Sequence, residues 1–462
     1  MVVNRFKKDV VEGVRVISTQ EEFEDTSDVM SNRMLKHADV YFKGESFPIP
    51  LTSDILSKHV LFMGGIGTGK TNGIFQIVDQ IIDTMTNDDV MVVFDSKGDF
   101  LQEFGPKTKD PAIISSGPES NVFWNMFNEA IIDYGKELDE TMDENLMELA
   151  TSIFGPMIEK DKTNPFFPLA ARNIFYSILY YMYMTLISSH MSNGMKYINN
   201  SSIYVNSKKS SAEIVALLRH PRCKDKLEQM IEYLGSYQGG EFMTSPQGLS
   251  VIATMRNELL NVFSGNFVKP GDFSIRKFVR SKGARVLFIE YDLSRGRVLS
   301  PIYKTLMDMA IKESLCRNRS KGNVYFVIDE FRLLPKLDYM DTGVNLGRSL
   351  GSKFIVGMQN IKQIESIYGE SESKSILSGF LTTANFRTTD KETREYICGQ
   401  FGKNRFEYEV KTLNGGKQLS EGEAVSDNDI LSLDVGESII GVPMLNFNPI
   451  RFKFKEYTAI RK

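Results

Sequence analysis

The feature that most constrains this chain is a glycine-rich stretch that begins at His59 and reads His-Val-Leu-Phe-Met-Gly-Gly-Ile-Gly-Thr-Gly-Lys-Thr-Asn. It fits G-x-x-x-x-G-K-[ST], the phosphate-binding loop that joins a strand to a helix. Val60 to Met63 form an apolar run of strand length, and apolar residues after Thr71 recur at helical spacing. A glycine-rich turn without this role would explain neither the lysine-threonine pair nor the flanking pattern. The stretch therefore predicts a nucleotide site.

The chemistry expected of this loop follows from its residue types. Glycines let successive backbone N–H groups turn toward a phosphate, and the next helix directs its positive dipole end at the same anion. Lys70 is expected to reach the β- and γ-phosphates of ATP, and the Thr71 hydroxyl is a suitable Mg²⁺ ligand. The residues expected to contact the nucleotide are Gly64, Gly65, Ile66, Gly67, Thr68, Gly69, Lys70, Thr71 and Asn72.

A second stretch, Val324-Tyr-Phe-Val-Ile-Asp-Glu, is an apolar strand that ends in two carboxylates. This pattern fits a Walker B element. Asp329 would hold Mg²⁺, while Glu330 would orient and deprotonate the water that attacks the γ-phosphate. Two acids at a strand end are also compatible with a solvated strand cap. With a phosphate loop in the same chain, the pattern favours catalysis.

Two further apolar strands end in polar residues. Val90 to Phe94 precede Asp95, and Lys353 to Met358 precede Gln359. In open α/β sheets, ligands bind at the carboxyl ends of the strands. Asp95 is a nucleotide-contact candidate on this ground, although a plain turn explains it equally well. Gln359 is a candidate for sensing the γ-phosphate or the attacking water.

The order of strand and helix patterns predicts an α/β fold with a mostly parallel sheet, interrupted by an all-helical insertion. Four parts are expected: an amino-terminal β-rich extension, 1–49; the first part of the nucleotide-binding domain, 50–145; the insertion, 146–268; and the second part of the nucleotide-binding domain, 269–462. A polar stretch, 192–211, reads as a surface loop.

Composition excludes several classes of protein. The three cysteines and four histidines are scattered, so neither a disulfide framework nor a zinc site is indicated. The net charge of −4 shows no global positive field for nucleic acid, so any DNA contact must be local. The most apolar stretch, Asn173 to Ile187, is shorter than the roughly 20 residues of a membrane helix and reads as a core helix. The sole tryptophan, Trp124, is expected to be buried.

The ordered set of motifs resembles the TraG/TraD-type coupling proteins of type IV secretion and conjugation, relatives of the FtsK and HerA motor ATPases. The resemblance covers most of residues 10–455. Besides the phosphate loop and the Walker B strand, it rests on Phe94-Asp-Ser-Lys-Gly-Asp, Gly347-Arg-Ser-Leu-Gly and the segment from Met358 to Gly369.

The resemblance implies a RecA-like P-loop fold and a homo-hexameric ring with ATP and Mg²⁺ at subunit interfaces. It also implies DNA in the central channel, relaxase or other protein cargo, and an all-α domain at the insertion. Arg348 stands where the family places an arginine supplied to the neighbouring subunit's nucleotide. An ordinary surface arginine is the alternative, and Arg387 is a rival candidate.

The chain departs from the family pattern in two places. Typical members carry transmembrane helices before the phosphate loop, and this sequence shows none, so a cytoplasmic protein that docks on a separate membrane partner is expected. Ser96 replaces a proline of the family's D-P-K-G-[DE] loop, whereas Asp99 retains its second carboxylate. Two other functions stay open: a nucleotide-regulated cargo receptor, and a HerA-like motor of a DNA-processing or defence complex.

Overall fold

The computed structural model describes residues 9–26, 38–131, 140–161, 163–186, 198–316, 321–410, 416–442 and 448–458. Its strands are β1 Asp9–Glu12, β2 Val40–Lys43, β3 Pro48–Leu51, β4 Val60–Met63, β5 Val90–Asp95, β6 Ala112–Ile114, β7 Gly235–Gln238, β8 Glu241–Thr244, β9 Arg285–Glu290, β10 Val324–Ile328, β11 Ser352–Met358, β12 Thr382–Phe386, β13 Lys403–Val410, β14 Gly416–Glu423, β15 Glu437–Gly441 and β16 Ile450–Lys453.

The helices are α1 Gln20–Thr26, α2 Ser53–Leu56, α3 Lys70–Thr84, α4 Asp99–Phe104, α5 Phe127–Ala130, α6 Glu140–Lys160, α7 Phe166–Leu186, α8 Asn200–Ser207, α9 Ser211–Leu218, α10 Lys224–Leu227, α11 Pro246–Val262, α12 Ile275–Ser281, α13 Ser300–Ser314, α14 Met340–Leu346, α15 Ile361–Ser378, α16 Lys391–Gly399 and α17 Asp427–Leu431. Short 3₁₀ turns follow several of them, including Gly347–Leu350.

The core of the molecule is a nine-stranded sheet with the order β16-β15-β12-β4-β11-β10-β5-β9-β6. The seven strands from β12 to β6 run parallel, and β15 and β16 are antiparallel at one end. Every residue of β4, β5, β10 and β11 is buried, as expected for strands covered on both faces. The predicted α/β class with a mostly parallel sheet is confirmed.

The region between the two halves of this sheet is mostly helical. Helices α6 and α7 pack on each other, and α7 also packs on α11. The apolar stretch from Asn173 belongs to α7, where Ile174, Phe175 and Ile178 are fully buried, so a core helix is the correct interpretation. No helix among the described residues is long and apolar enough to cross a membrane.

The expectation of an all-helical insertion is wrong in one detail, because the region contains the antiparallel hairpin of β7 and β8. Gly239 and Gly240, both with positive φ, form its turn. The loop expected over 192–211 is also wrong in its described part. There Asn199 caps α8 through a reciprocal hydrogen bond with Ser202. Residues 192–197 lie outside the described residues.

The amino-terminal part does not form a separate β-rich unit in the described residues. It contains α1 as well as β1, and β1 pairs with the distant β13. Strands β2 and β3 form a small hairpin, in which the backbone N–H groups of Tyr41 and Lys43 donate to Gln80 and Gln76 of α3. The division into four parts at the stated residues remains a prediction.

Candidate nucleotide-binding site

The phosphate loop is fixed by the carboxyl ends of the neighbouring strands. Gly64 N–H donates to the carbonyl of Met358 over 3.2 Å, and Gly65 N–H donates to that of Arg387 over 2.9 Å. At the end of the loop, Gly69 has φ 108°, and a Cβ there would lie 2.9 Å from the Cα of Gly436. Both the backbone angle and this close approach require glycine. Helix α3 begins at the next residue.

The Lys70 side chain folds back into the phosphate loop and is buried there. Its Nζ donates to the carbonyl oxygens of Gly64 and Gly65, each over 2.7 Å. Burial lowers the pKa of Lys70, and the negative charges of Glu330 and Asp329 act in the opposite direction. The ammonium thus lies at the inner wall of the loop, next to the backbone turn that the sequence assigns to phosphate binding.

The two predicted metal ligands come together although 258 residues separate them. Thr71 Oγ1 donates to Asp329 Oδ1 over 3.2 Å. Burial raises the pKa of Asp329 to about 6, against the lowering effects of Lys97 and the Thr71 hydrogen bond. A hydroxyl and a carboxylate at this spacing are the oxygen ligands that Mg²⁺ accepts beside phosphate oxygens. Across the described residues no cluster of three or more His, Cys, Asp or Glu forms a separate metal site.

Glu330 lies next to this pair and is held from two sides. Gln359 Nε2 donates to its Oε2 over 2.7 Å, and Arg332 Nε lies 3.1 Å from its Oε1. Gln359 follows β11, so its amide comes from the strand beside β10. The structure therefore joins the predicted base to the predicted sensor in one hydrogen bond.

The Asp95 carboxylate accepts hydrogen bonds from the backbone of the turn that follows it. Its Oδ1 accepts from the N–H groups of Lys97 and Gly98, and its Oδ2 accepts from that of Leu101. Burial raises the pKa of this carboxyl, while the backbone hydrogen bonds oppose the rise. Both oxygens are thus occupied locally, which favours the turn over a direct contact with nucleotide.

Lys97 lies in the turn that Asp95 holds, and from the sequence a ligand role and a plain turn were equally open for it, as for Asp95. Its side chain is exposed, and its positive charge acts on Lys70 and Asp329. Its place two residues beyond a buried parallel strand is the signal that made it a candidate.

The remaining predicted loop contacts divide into three kinds. Ile66 is 82% exposed at the tip of the loop. Thr68 stays within the loop, because its Oγ1 donates to Gly65 O and its own carbonyl accepts from Gly436 N–H. The Asn72 side chain faces the carboxyl-terminal segment, where it donates to Lys455 O and accepts from Tyr457 N–H. At the start of the helix, only the backbone of Asn72 is therefore available for contact with a nucleotide.

The two candidate arginines lie at opposite ends of the parallel strands, Arg387 at the carboxyl ends and Arg348 at the amino ends. Arg387 directly follows β12, on the edge that carries the phosphate loop. Arg348 precedes β11, and its Nη2 lies 3.0 Å from Asp54 Oδ1 with 47% of the side chain exposed. The seven residues of β11 span roughly 20 Å. Arg348 therefore lies far from the loop of its own chain.

With this geometry in place, comparison with known proteins identifies the family. The family model described as the type IV secretion-system coupling protein DNA-binding domain matches residues 46–429. The chain belongs to this family. The membership confirms the resemblance that the motifs indicated.

Relatives with assigned names support the same conclusion. The chain is 21% identical over 412 residues to the coupling protein TraD of Escherichia coli, covering 83% of this chain and 51% of TraD. It is 22% identical over 201 residues to VirD4 of Agrobacterium fabrum, covering 38% of this chain and 30% of VirD4. The chain thus matches about half of TraD and a smaller share of VirD4.

Solved structures show the same fold. The bacterial conjugative coupling protein TrwBdeltaN70 superposes with a TM-score of 0.74 at 19% identity, covering 99% of this chain and 96% of that chain. TrwB has also been solved with ADP and Mg²⁺, with a TM-score of 0.71 and 18% identity, covering 99% of this chain and 97% of that one. VirB4 of Thermoanaerobacter pseudethanolicus is more distant, with a TM-score of 0.55 at 12% identity, covering 91% and 97% of the two chains.

Proposed function

We propose that this chain is the ATPase part of a type IV secretion coupling protein and hydrolyses Mg²⁺-ATP at the phosphate loop. The contact between Thr71 and Asp329 carries the proposal, because it joins the phosphate loop to the Walker B strand at one place. The ADP and Mg²⁺ bound to TrwB support the choice of ligand.

Each residue of the site has a role in hydrolysis that follows from its position. Lys70 exchanges its two loop carbonyls for oxygens of the β- and γ-phosphates, a charge-assisted contact. Thr71 and Asp329 hold Mg²⁺, which neutralises charge on the phosphate oxygens when it is bound. Glu330 takes a proton from the attacking water, and Gln359 keeps that carboxylate oriented.

Turnover requires a second copy of the chain, since Arg348 lies at the sheet edge opposite its own loop. A guanidinium supplied by a neighbour would stabilise the charge that develops on the γ-phosphoryl oxygens. A repeated head-to-tail contact closes into a ring when the rotation between neighbours allows it, and we propose a ring of this kind, a homo-hexamer.

The cargo proposal follows the family description, which names a DNA-binding domain. We propose that the ring moves DNA, free or attached to a relaxase, on the cytoplasmic side of the membrane beside a separate membrane protein. The net charge of −4 favours a second candidate function, a receptor in which nucleotide sets assembly and protein cargo replaces DNA.

The test combines mass and ATPase rate, measured on wild type and Glu330→Gln with and without single- and double-stranded DNA. A motor is expected to form rings with ATP and DNA and to hydrolyse faster with DNA. Glu330→Gln should bind ATP and assemble without hydrolysis. Rings whose hydrolysis ignores both forms of DNA would support the receptor, and an active Glu330→Gln would refute the role of the base.

A further inference from the structure

The two oxygens of the Glu330 carboxylate lie in different surroundings. Oε2 accepts from Gln359 Nε2 over 2.7 Å. Oε1 is shielded from solvent, and among the described residues no donor forms a hydrogen bond with it. A buried carboxylate oxygen without a donor is costly, so Oε1 is the oxygen that is suited to a new partner. Under the proposed function, that partner is the attacking water.

The side chain that covers Oε1 is Arg332. Its Nε lies 3.1 Å from Glu330 Oε1 without forming a hydrogen bond, so the contact is an ion pair. In the described part of the chain, Arg332 pairs with no other carboxylate. While the guanidinium is in this place, a water molecule cannot approach Oε1 from the same side.

The backbone of Arg332 is fixed, whereas its side chain is able to move. Arg332 is the middle residue of the 3₁₀ turn Phe331–Leu333. The Phe331 ring is buried and stacks on that of Tyr368, with 6.0 Å between the ring centres, and Leu334 is buried on the other side of the turn. By contrast, 48% of the Arg332 side chain is exposed, against 15% for Glu330. The guanidinium can therefore leave Oε1 by side-chain rotation, without a change in the fold.

We propose that Arg332 is a positioning residue that restrains the base: its guanidinium occupies the water side of Glu330 Oε1 in the isolated chain and leaves when copies assemble. The inference rests on the proposed function, because it takes Glu330 as the base and Arg348 as the arginine that a neighbour supplies. That incoming guanidinium would lie at the γ-phosphate, beside the water that Glu330 activates. Two cations at this place repel each other, and the half-exposed Arg332 is the one that moves.

The test compares the slow residual hydrolysis of wild type and Arg332→Met as dilute chains without DNA, where light scattering shows monomers. Methionine keeps an unbranched side chain and removes the charge. An ion pair of this exposure favours the covered arrangement by about fivefold, so we expect kcat at saturating ATP to rise about threefold to fivefold. KM and ADP affinity should each change by less than about twofold, since the restraint acts on the base and not on binding. A variant rate no higher than that of wild type would overturn the proposal.

Two control variants isolate the charge of Arg332. Arg332→Lys keeps a cation, and because the contact is not bidentate, its rate should lie closer to wild type than to Arg332→Met. Arg405→Met removes another exposed arginine, whose Nη1 lies 2.9 Å from Glu12 Oε2, and its rate should equal wild type. A rise in Arg332→Lys as large as that in Arg332→Met would contradict the role of the charge.

A double variant shows whether the restraint acts through Glu330. Glu330→Gln and the double variant Glu330→Gln/Arg332→Met should be equally inactive, because there is then no base to release. If the double variant hydrolyses ATP while Glu330→Gln does not, Arg332 acts on another group and the proposal is wrong. An active Glu330→Gln would instead reject the base of the proposed function, so the two failures are distinguishable.

The assembled form tests the release of Arg332. In rings with ATP and DNA, the rates of wild type and Arg332→Met should agree within about twofold, because the guanidinium has already left Oε1. A rise of the same size in monomers and in rings would mean that assembly does not release Arg332, and this would overturn the proposal.

Discussion

His59, which directly precedes β4, links the strand of the phosphate loop to the segment that carries Arg348. Its Nδ1 accepts from Phe354 N–H over 3.1 Å, so its Nε2 carries the proton and donates to Val344 O over 2.8 Å. Burial lowers the pKa of His59 from 6.5 to about 4. Protonation of Nδ1 would place its N–H against the N–H of Phe354, so the folded state disfavours the charged ring.

The lowered pKa fixes how His59 affects stability. The folded state favours the neutral ring, so this contribution is fully present above pH 6.5 and is lost as pH falls through about 4. A shift of this size corresponds to about 3 kcal/mol of unfolding free energy. The variant His59→Asn removes the titration, and asparagine tolerates the φ of 61° at this position.

The assay is urea unfolding of both proteins from about pH 7.5 to about pH 4.5. At neutral pH we expect His59→Asn to be less stable by about 2–4 kcal/mol, because two buried backbone groups lose their partner. The difference should narrow by about 2–3 kcal/mol at the acidic end, where wild type must protonate the ring. The carboxylates titrate in both proteins, so their contributions to the unfolding free energy cancel in the difference between wild type and variant. A difference that stays constant with pH would refute the reasoning.

Three other predictions concern the loop itself. Lys70→Ala should weaken ADP binding about 100-fold in calorimetry, because a buried phosphate contact is lost, and a change below about threefold would contradict its role. Asp329→Asn should abolish the gain in ADP affinity that Mg²⁺ gives, while its amide oxygen can still accept from Thr71; an unchanged Mg²⁺ effect would argue against metal binding. Gly69→Ala should lower unfolding free energy by about 1–3 kcal/mol through its φ and the contact with Gly436, and wild-type melting would disprove that crowding.

The sheet was predictable because its strands are buried on both faces. Such strands appear in sequence as continuous apolar runs, and β4 begins and ends at the residues that the pattern indicated. The partners of Asp329 and Glu330 could be anticipated for the same reason, since the carboxyl ends of parallel strands share one edge.

Side-chain direction was less accessible to sequence. Asp95 and Asn72 stand at positions that suit nucleotide contact, yet one holds its own turn and the other holds Lys455 and Tyr457. In both cases the competing partner is a backbone group, and backbone N–H and C=O groups occur at every residue. Composition and spacing therefore cannot distinguish a side chain that binds a ligand from one that holds a turn.

The hairpin of β7 and β8 shows a different limit. Its Gly239-Gly240 turn between Tyr237 and Phe242 is a recognisable hairpin signal, but helical patterns surround it. The Asn199 cap of α8 was likewise present as a capping signal within a polar stretch. Both features had a local sequence signal, but the prediction for each followed the composition of the surrounding segment instead.

The charged side chains of the predicted site are divided between the two ends of the parallel strands. The carboxyl edge gathers Lys70, Asp329 and Glu330, where a nucleotide would be bound and its water activated. The amino edge gathers Arg348 and Lys353, whose charges have no phosphate within reach in the same chain. Since β4, β5, β10 and β11 are buried along their whole length, the two edges cannot approach one another by bending the sheet. Under the proposed function, contact between the two edges requires two copies, so we expect the rate of ATP hydrolysis to depend on assembly as well as on the chemistry of the site.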